Sequence, residues 1–227
     1  MHPRAVLRRA LTSVAALFPP ASNFLAPLAL GMTLLSGAGA LLFLLGWARS
    51  PYSTGQLEPI EQPVLFDHRH HVRDDGIDCF YCHDAARTSA YAGVPAASLC
   101  MSCHNQVWNG SALLEPVRQS FFSNTPIRWE RVNRLPDFVY FNHSAHVTRG
   151  VGCATCHGPV DEMARVYAAM PLTMEWCLYC HRDPSPYLRP EDRITDMKWS
   201  QTGVAAGERL RQDNHVSPPT ECSGCHR

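Results

Sequence analysis

The pattern of apolar and polar positions divides the chain into two unequal parts. No charged residue occurs between Arg9 and Arg49, and Phe24 to Trp47 (FLAPLALGMTLLSGAGALLFLLGW) is nearly all apolar. As a helix this run is long enough to cross a hydrocarbon layer of about 30 Å, which predicts a transmembrane anchor over 23–47. Pro19 and Pro20 break the chain just upstream, and Ser22 or Asn23 is placed to cap the helix start. Residues 48–62, rich in Pro, Ser and Gly, read as a tether. From about Pro63 onward neither a helical nor a strand period is sustained. Short helices are predicted around each CxxCH and over about 113–122 and 204–213, and strands are hard to find. A domain spanning 63–227 with so little patterning is poorly stabilised by its own side chains.

A cleaved signal peptide competes with the anchor, because Ala38-Gly39-Ala40 resembles a cleavage triplet. The most hydrophobic run, Leu41 to Leu45, lies after that triplet, and the apolar stretch exceeds the usual h-region, which favours an uncleaved anchor. Arg4, Arg8 and Arg9 precede the span, so residues 1–22 are expected in the cytoplasm and the remaining chain outside it. The expected location is a bacterial cytoplasmic membrane crossed once, with the downstream domain on the periplasmic side. Gly31, Ser36, Gly37, Gly39 and Ala40 would let a second membrane helix approach closely.

Composition sharpens this. All ten cysteines fall in five CxxCH motifs: Cys79-Cys82-His83, Cys100-Cys103-His104, Cys153-Cys156-His157, Cys177-Cys180-His181 and Cys222-Cys225-His226. No sulfur is left for a disulfide framework. Twenty basic and twenty acidic residues give no net charge, which argues against a nucleic-acid partner. CxxCH is the attachment signal of c-type haem: two cysteines form thioethers to the porphyrin and the histidine ligates iron. One such motif would leave a zinc site or a redox CxxC open. Five that use every cysteine, on the exported side, predict five covalent c-type haems with His83, His104, His157, His181 and His226 as proximal ligands. Apolar macrocycles among the loops would also supply the missing core.

The sixth ligands must come from elsewhere. FDHRHHVRDDGIDCFYCH (66–83) and FNHSAHVTRGVGCATCH (141–157) are copies, each a FxHxxH ahead of a CxxCH, and a further CxxCH follows each. Repeats thus span 63–104 and 138–181, with the fifth motif at 222–226. Alignment matches His68 to His143 and His71 to His146, and these four are the candidate distal ligands. His70 is unmatched and reads as surface or outer shell. For the fifth iron His215, Met163 and Met174 compete, with Met170 and Met197 behind them. With every sixth position filled, no iron is open to substrate and no catalytic constellation stands out, so no turnover site is expected. The reading is electron conduction, against a sensor or terminal reductase with an open iron. The segment 105–140, with Trp108, Phe121, Phe122, Trp129 and Phe138, is expected to pack on haem edges or a partner.

The FxHxxH unit resembles the low-potential multihaem cytochromes c. The longer stretch LPDFVYFNHSAHVTRGVGCATCHGPVDEM, then MPLTMEWCLYCHR, resembles the pentahaem cytochrome c subunits of alternative complex III, and a related multihaem subunit occurs in menaquinone reductase complexes. The resemblance covers about 62–184, and the last motif by haem count only. It implies a multihaem cytochrome c fold, mostly irregular with short α-helices packed around five haems, plus the N-terminal transmembrane helix. It implies that His68 and His143 serve the haem of their own following motif, and His71 and His146 other haems. It further implies quinol oxidation in a membrane complex beside an iron–sulfur subunit, polytopic quinol-binding subunits and a monohaem cytochrome c. The acceptor would be a soluble cytochrome c or blue-copper protein. Asn133 stands where relatives carry a His, so any role of that His is absent here. A stand-alone, membrane-anchored multihaem quinol dehydrogenase is the competing function.

Overall fold

A computed structural model of the protein describes residues 19–200 and 203–226. Arg4, Arg8 and Arg9 lie outside these residues, and with them the expectation for the N-terminus. The chain forms two compact units, Met1–Thr54 and Gly55–Arg227.

The first unit holds α1 (Ser22–Ala48) and the single turn α2 (Pro51–Thr54). Helix α1 has 27 residues, no buried side chain and no charge, so it is long and apolar enough to cross a membrane. Its capping position is Ala21, whose side chain makes no capping bond, so neither Ser22 nor Asn23 caps the helix. The reason is local: the carbonyls of Pro19 and Pro20 accept from the N–H groups of Ser22 and Asn23 at 2.9 and 3.2 Å. The turn therefore feeds directly into the helix and leaves a side-chain cap nothing to satisfy.

In the second unit the helices are α3 (Cys79–Cys82), α4 (Ala97–His104), α5 (Glu115–Ser123), α6 (His143–Val147), α7 (Cys153–His157), α8 (Met174–Arg182), α9 (Val204–Asp213) and α10 (Cys222–Cys225). Every CxxCH stands on or at the end of one of them. Small polar residues start several: Asp78 accepts from Phe80 N–H, Asn142 from Ala145 N–H and Thr173 from Trp176 N–H. No strand forms among the described residues; two isolated antiparallel bridges join Val139 to His226 and Val151 to Leu188. The result is a set of short helices in irregular chain, with one N-terminal apolar helix.

Side-chain burial is sparse. The largest apolar cluster joins Val64, Met101 and Val117, with Ile127 and Trp129 packed against it. That places part of the aromatic inter-repeat segment inside, whereas Trp108 and Phe122 remain 66% and 76% exposed. The stretch read as a tether is docked in its second half. Leu57 and Ile60 N–H donate to the carbonyls of Ala168 and Val166, Gln62 pairs with the backbone of Glu130, and Glu61 pairs with Arg165. Composition marks the absence of regular structure there, not the absence of partners.

The repeats differ by one residue. His71 and Cys79 are one position further apart than His146 and Cys153. The extra residue is absorbed in a π-turn over Arg69–Asp74, where the second copy has the α-turn α6. Both copies then reverse at a glycine in the left-handed region, Gly76 (φ 68°) and Gly150 (φ 93°), which returns the chain to its CxxCH.

Candidate haem-binding sites

Each FxHxxH builds the same small platform. Phe66 lies edge-on to His68 (ring centres 4.7 Å, planes at 85°) and stacked on His71 (4.4 Å, 29°). Phe141 repeats this with His143 (4.7 Å, 89°) and His146 (4.5 Å, 27°). The phenyl ring thus touches both histidines at once, because their i, i+3 spacing puts them on one face of the turn, one ring edge-on to it and the other stacked on it.

Those neighbours are the CxxCH histidines. The ring of His143 lies 6.3 Å from that of His157, planes 7° apart. His146 lies 6.1 Å from His181 at 41°, and His71 6.1 Å from His104 at 61°. His68 lies close enough to His83 for the two to influence each other electrostatically. Imidazole nitrogens bind first-row metals at about 2 Å, with the ring centre about 1 Å further back, so two imidazoles across one iron hold their centres about 6 Å apart. The three ring pairs fit that requirement. The first histidine of each platform meets the next CxxCH, and the second meets the CxxCH after it.

The tautomers fit as well. An imidazole ligates iron through Nε2 when Nδ1 carries the proton and donates it to a fixed acceptor. Nδ1 lies 3.0 Å from the Gly93 carbonyl in His83, 3.0 Å from that of Val107 in His104 and 2.7 Å from that of Pro219 in His181. On the opposite rings it lies 3.1 Å from the Asp67 carbonyl in His71, 3.1 Å from Ala90 in His143 and 2.7 Å from Asn142 in His146. Burial disfavours the charged form of three of the rings: it pushes His68 and His157 down to about 4 and lowers His146, with neighbouring imidazoles adding to the effect. His70 is exposed and paired with Asp74 at 3.2 Å.

The platforms link motifs in space: His71 ties the first repeat to the second motif at His104, and His146 ties the second repeat to the fourth motif at His181. Burial raises the Cys82 thiol, with Cys100 adding to it, and the neighbouring Cys153 raises the Cys79 thiol. Burial pushes the Cys156 thiol up to about 12, with Cys180 and Cys177 adding to it, and Cys177 feels Cys225. The two repeats meet where His143 and Ser144 N–H donate to the carbonyls of Ala90 and Ser89.

At the fifth motif the ring beside His226 is Phe138 (5.8 Å, 35°). Met163 is buried to 3% next to Gly158 at the third motif, Met174 is 66% exposed at the start of α8, and His215 holds a left-handed turn (φ 51°) after α9. Two further residues make contacts that no motif announces: Asn133, noted only as a departure from relatives, and Arg189, which no sequence pattern marks. The Asn133 side chain reaches His157 (3.0 Å to Nδ1). Arg189, 5% exposed, lies over Trp199 and donates to the carbonyls of Arg193 and Asp196. Its guanidinium covers Gly152, the residue before Cys153, where a Cβ would collide with it. Gly152→Ala is therefore expected to cost about 1–3 kcal/mol of stability. A thermal melt of the haem-loaded protein checks this, and an unchanged midpoint would mean that Arg189 moves aside freely.

Residues 139–227 match the family described as cytochrome c7 and related cytochrome c. Over 180 residues the chain is 29% identical to the multiheme cytochrome c subunit of menaquinone reductase from Nitratidesulfovibrio vulgaris, a match covering 74% of this chain and 77% of that protein. Cytochromes c of this kind carry covalently bound c-type haem. The chain is thus similar to multihaem cytochromes c, and it carries one helix long and apolar enough to cross a membrane.

Proposed function

We propose that the protein is the pentahaem cytochrome c subunit of a quinol-oxidising membrane complex of the alternative complex III type. In this reading Cys79, Cys82, Cys100, Cys103, Cys153, Cys156, Cys177, Cys180, Cys222 and Cys225 attach five haems. Four irons lie between histidine pairs: His68 with His83, His71 with His104, His143 with His157, and His146 with His181. His226 holds the fifth. Bound haem supplies one-electron carriage; the chain supplies the rest. Its backbone carbonyls fix the imidazole tautomers, and its phenyl platforms set ring positions. The observation that carries the reading is the pairing of each platform's second histidine with a later CxxCH, which locks neighbouring sites into one unit.

Helix α1 would hold this unit at the periplasmic face of the membrane, with N-terminal Arg4, Arg8 and Arg9 in the cytoplasm. The exposed Trp108 and Phe122 suit contact with another subunit. Electrons would pass from quinol oxidation, through an iron–sulfur subunit and polytopic subunits, towards a monohaem cytochrome c and a soluble acceptor. Purification from the native membrane in mild detergent is expected to recover the chain together with iron–sulfur and polytopic subunits. Recovery as a lone monomer that quinol reduces rapidly would instead identify a stand-alone quinol dehydrogenase.

A further inference from the structure

Six of the paired histidines anchor Nδ1 on a backbone carbonyl, which no substitution can remove. Two depart from this rule: His68, whose Nδ1 is buried without a partner, and, among the CxxCH histidines, His157. Its Nδ1 lies 3.0 Å from the side-chain amide of Asn133, 24 residues earlier in the chain. As placed, the amide nitrogen faces the ring and the amide oxygen Oδ1 is buried without a donor. An amide nitrogen can only donate, so that placement requires an unprotonated Nδ1 and puts the ring proton on Nε2. The proton would then block the lone pair that must face iron. Rotating the amide by half a turn keeps its shape, gives Oδ1 a donor in the His157 Nδ1–H, and frees Nε2.

From this contact we infer that Asn133 is a positioning residue that sets the reduction potential of the third haem. The inference rests on the reading of His143 and His157 as ligands of one iron. The amide oxygen accepts from Nδ1–H, draws the proton partly away and makes Nε2 a stronger donor to the iron. A stronger donor favours the oxidised iron, and removing the acceptor favours the reduced one. The third motif belongs to the second repeat, whose His143 and Ser144 N–H groups meet the first repeat at the carbonyls of Ala90 and Ser89, so its haem would stand beside the junction of the two repeats. It is the one site among these pairs where a side chain, and hence a mutation, tunes the CxxCH histidine through its far nitrogen.

The geometry also labels the centre spectroscopically. Near-parallel imidazole planes, 7° apart here, give a rhombic low-spin EPR spectrum, whereas the His71–His104 pair at 61° gives a strongly anisotropic one. The experiment is a redox titration of the full-length, five-haem protein in detergent, followed by EPR, for wild type, Asn133→Leu and Asn133→Asp. Asn133→Leu is expected to raise the midpoint of the rhombic centre by about tenfold in its reduction equilibrium, about 59 mV for one electron. Asn133→Asp, a stronger acceptor of similar size, is expected to lower it, and the other four midpoints should stay in place. The Asp variant alone decides the matter if the Leu variant fails to mature. A wild-type spectrum without the rhombic centre overturns the ligand reading and this inference with it. A wild-type spectrum with that centre, and midpoints unmoved in the variants that mature, overturns the inference alone.

Discussion

Replacing His143 with alanine is expected to open one iron of five while leaving the haem content unchanged. In the proposed reading Cys153 and Cys156 attach that haem and His157 is its proximal ligand, and the substitution touches none of these. What disappears is the ring 6.3 Å from His157, so that iron loses its sixth ligand, becomes high-spin and binds carbon monoxide. His146→Ala should do the same at a different site, because its ring faces His181, 35 residues on. The two single variants should each bind about one carbon monoxide per protein and the double variant about two, since each distal ring serves a separate iron. Only the His143 variant should lose the rhombic EPR centre. Carbon monoxide binding that is absent from both variants would contradict the shared-platform geometry.

The second large effect is on folding. Chain made without haem attachment, or with all ten cysteines replaced by alanine, is expected to remain unfolded. Among the described residues the fully buried large side chains are Leu188 and Ile194, and the largest apolar cluster is built on three buried residues. Each contributes about 1.5–3 kcal/mol, which falls far short of the cost of ordering a domain of this length. Circular dichroism and a thermal melt check this: the prediction is a disordered far-ultraviolet spectrum and no cooperative transition. A cooperative melt of the haem-free chain would show that side-chain burial suffices.

What the sequence made legible was local. The CxxCH motifs and the FxHxxH copies are short strings whose chemistry is set by spacing, and the apolar span is set by composition. Helix α9 at Val204–Asp213 matches the short helix expected there, and α5 begins two residues later than expected because a 3-10 turn over Ala112–Leu114 precedes it. What was not legible depends on chain brought together from afar. His71 meets His104 and His146 meets His181 across more than thirty residues, and no periodicity carries that information. Asn133 drew notice only as a departure from relatives, since a lone asparagine has no motif; its role comes from one contact with His157. The turn at Arg69–Asp74 was hidden because spacing alone does not say where the one-residue insertion is absorbed, and the chain absorbs it in a π-turn. The docked stretch 56–62 shows the same limit: its partners at Ala168 and Val166 lie over a hundred residues downstream.

The central claim is that histidine pairs hold at least four of five irons. A spectroelectrochemical titration of the purified protein, read by EPR at each potential, counts bis-histidine against histidine–methionine and high-spin centres. The expected count is at least four bis-histidine centres, one of them rhombic from the parallel His143–His157 pair. A count of three or fewer would contradict the account, because the two platforms would then not supply the distal ligands that their geometry offers.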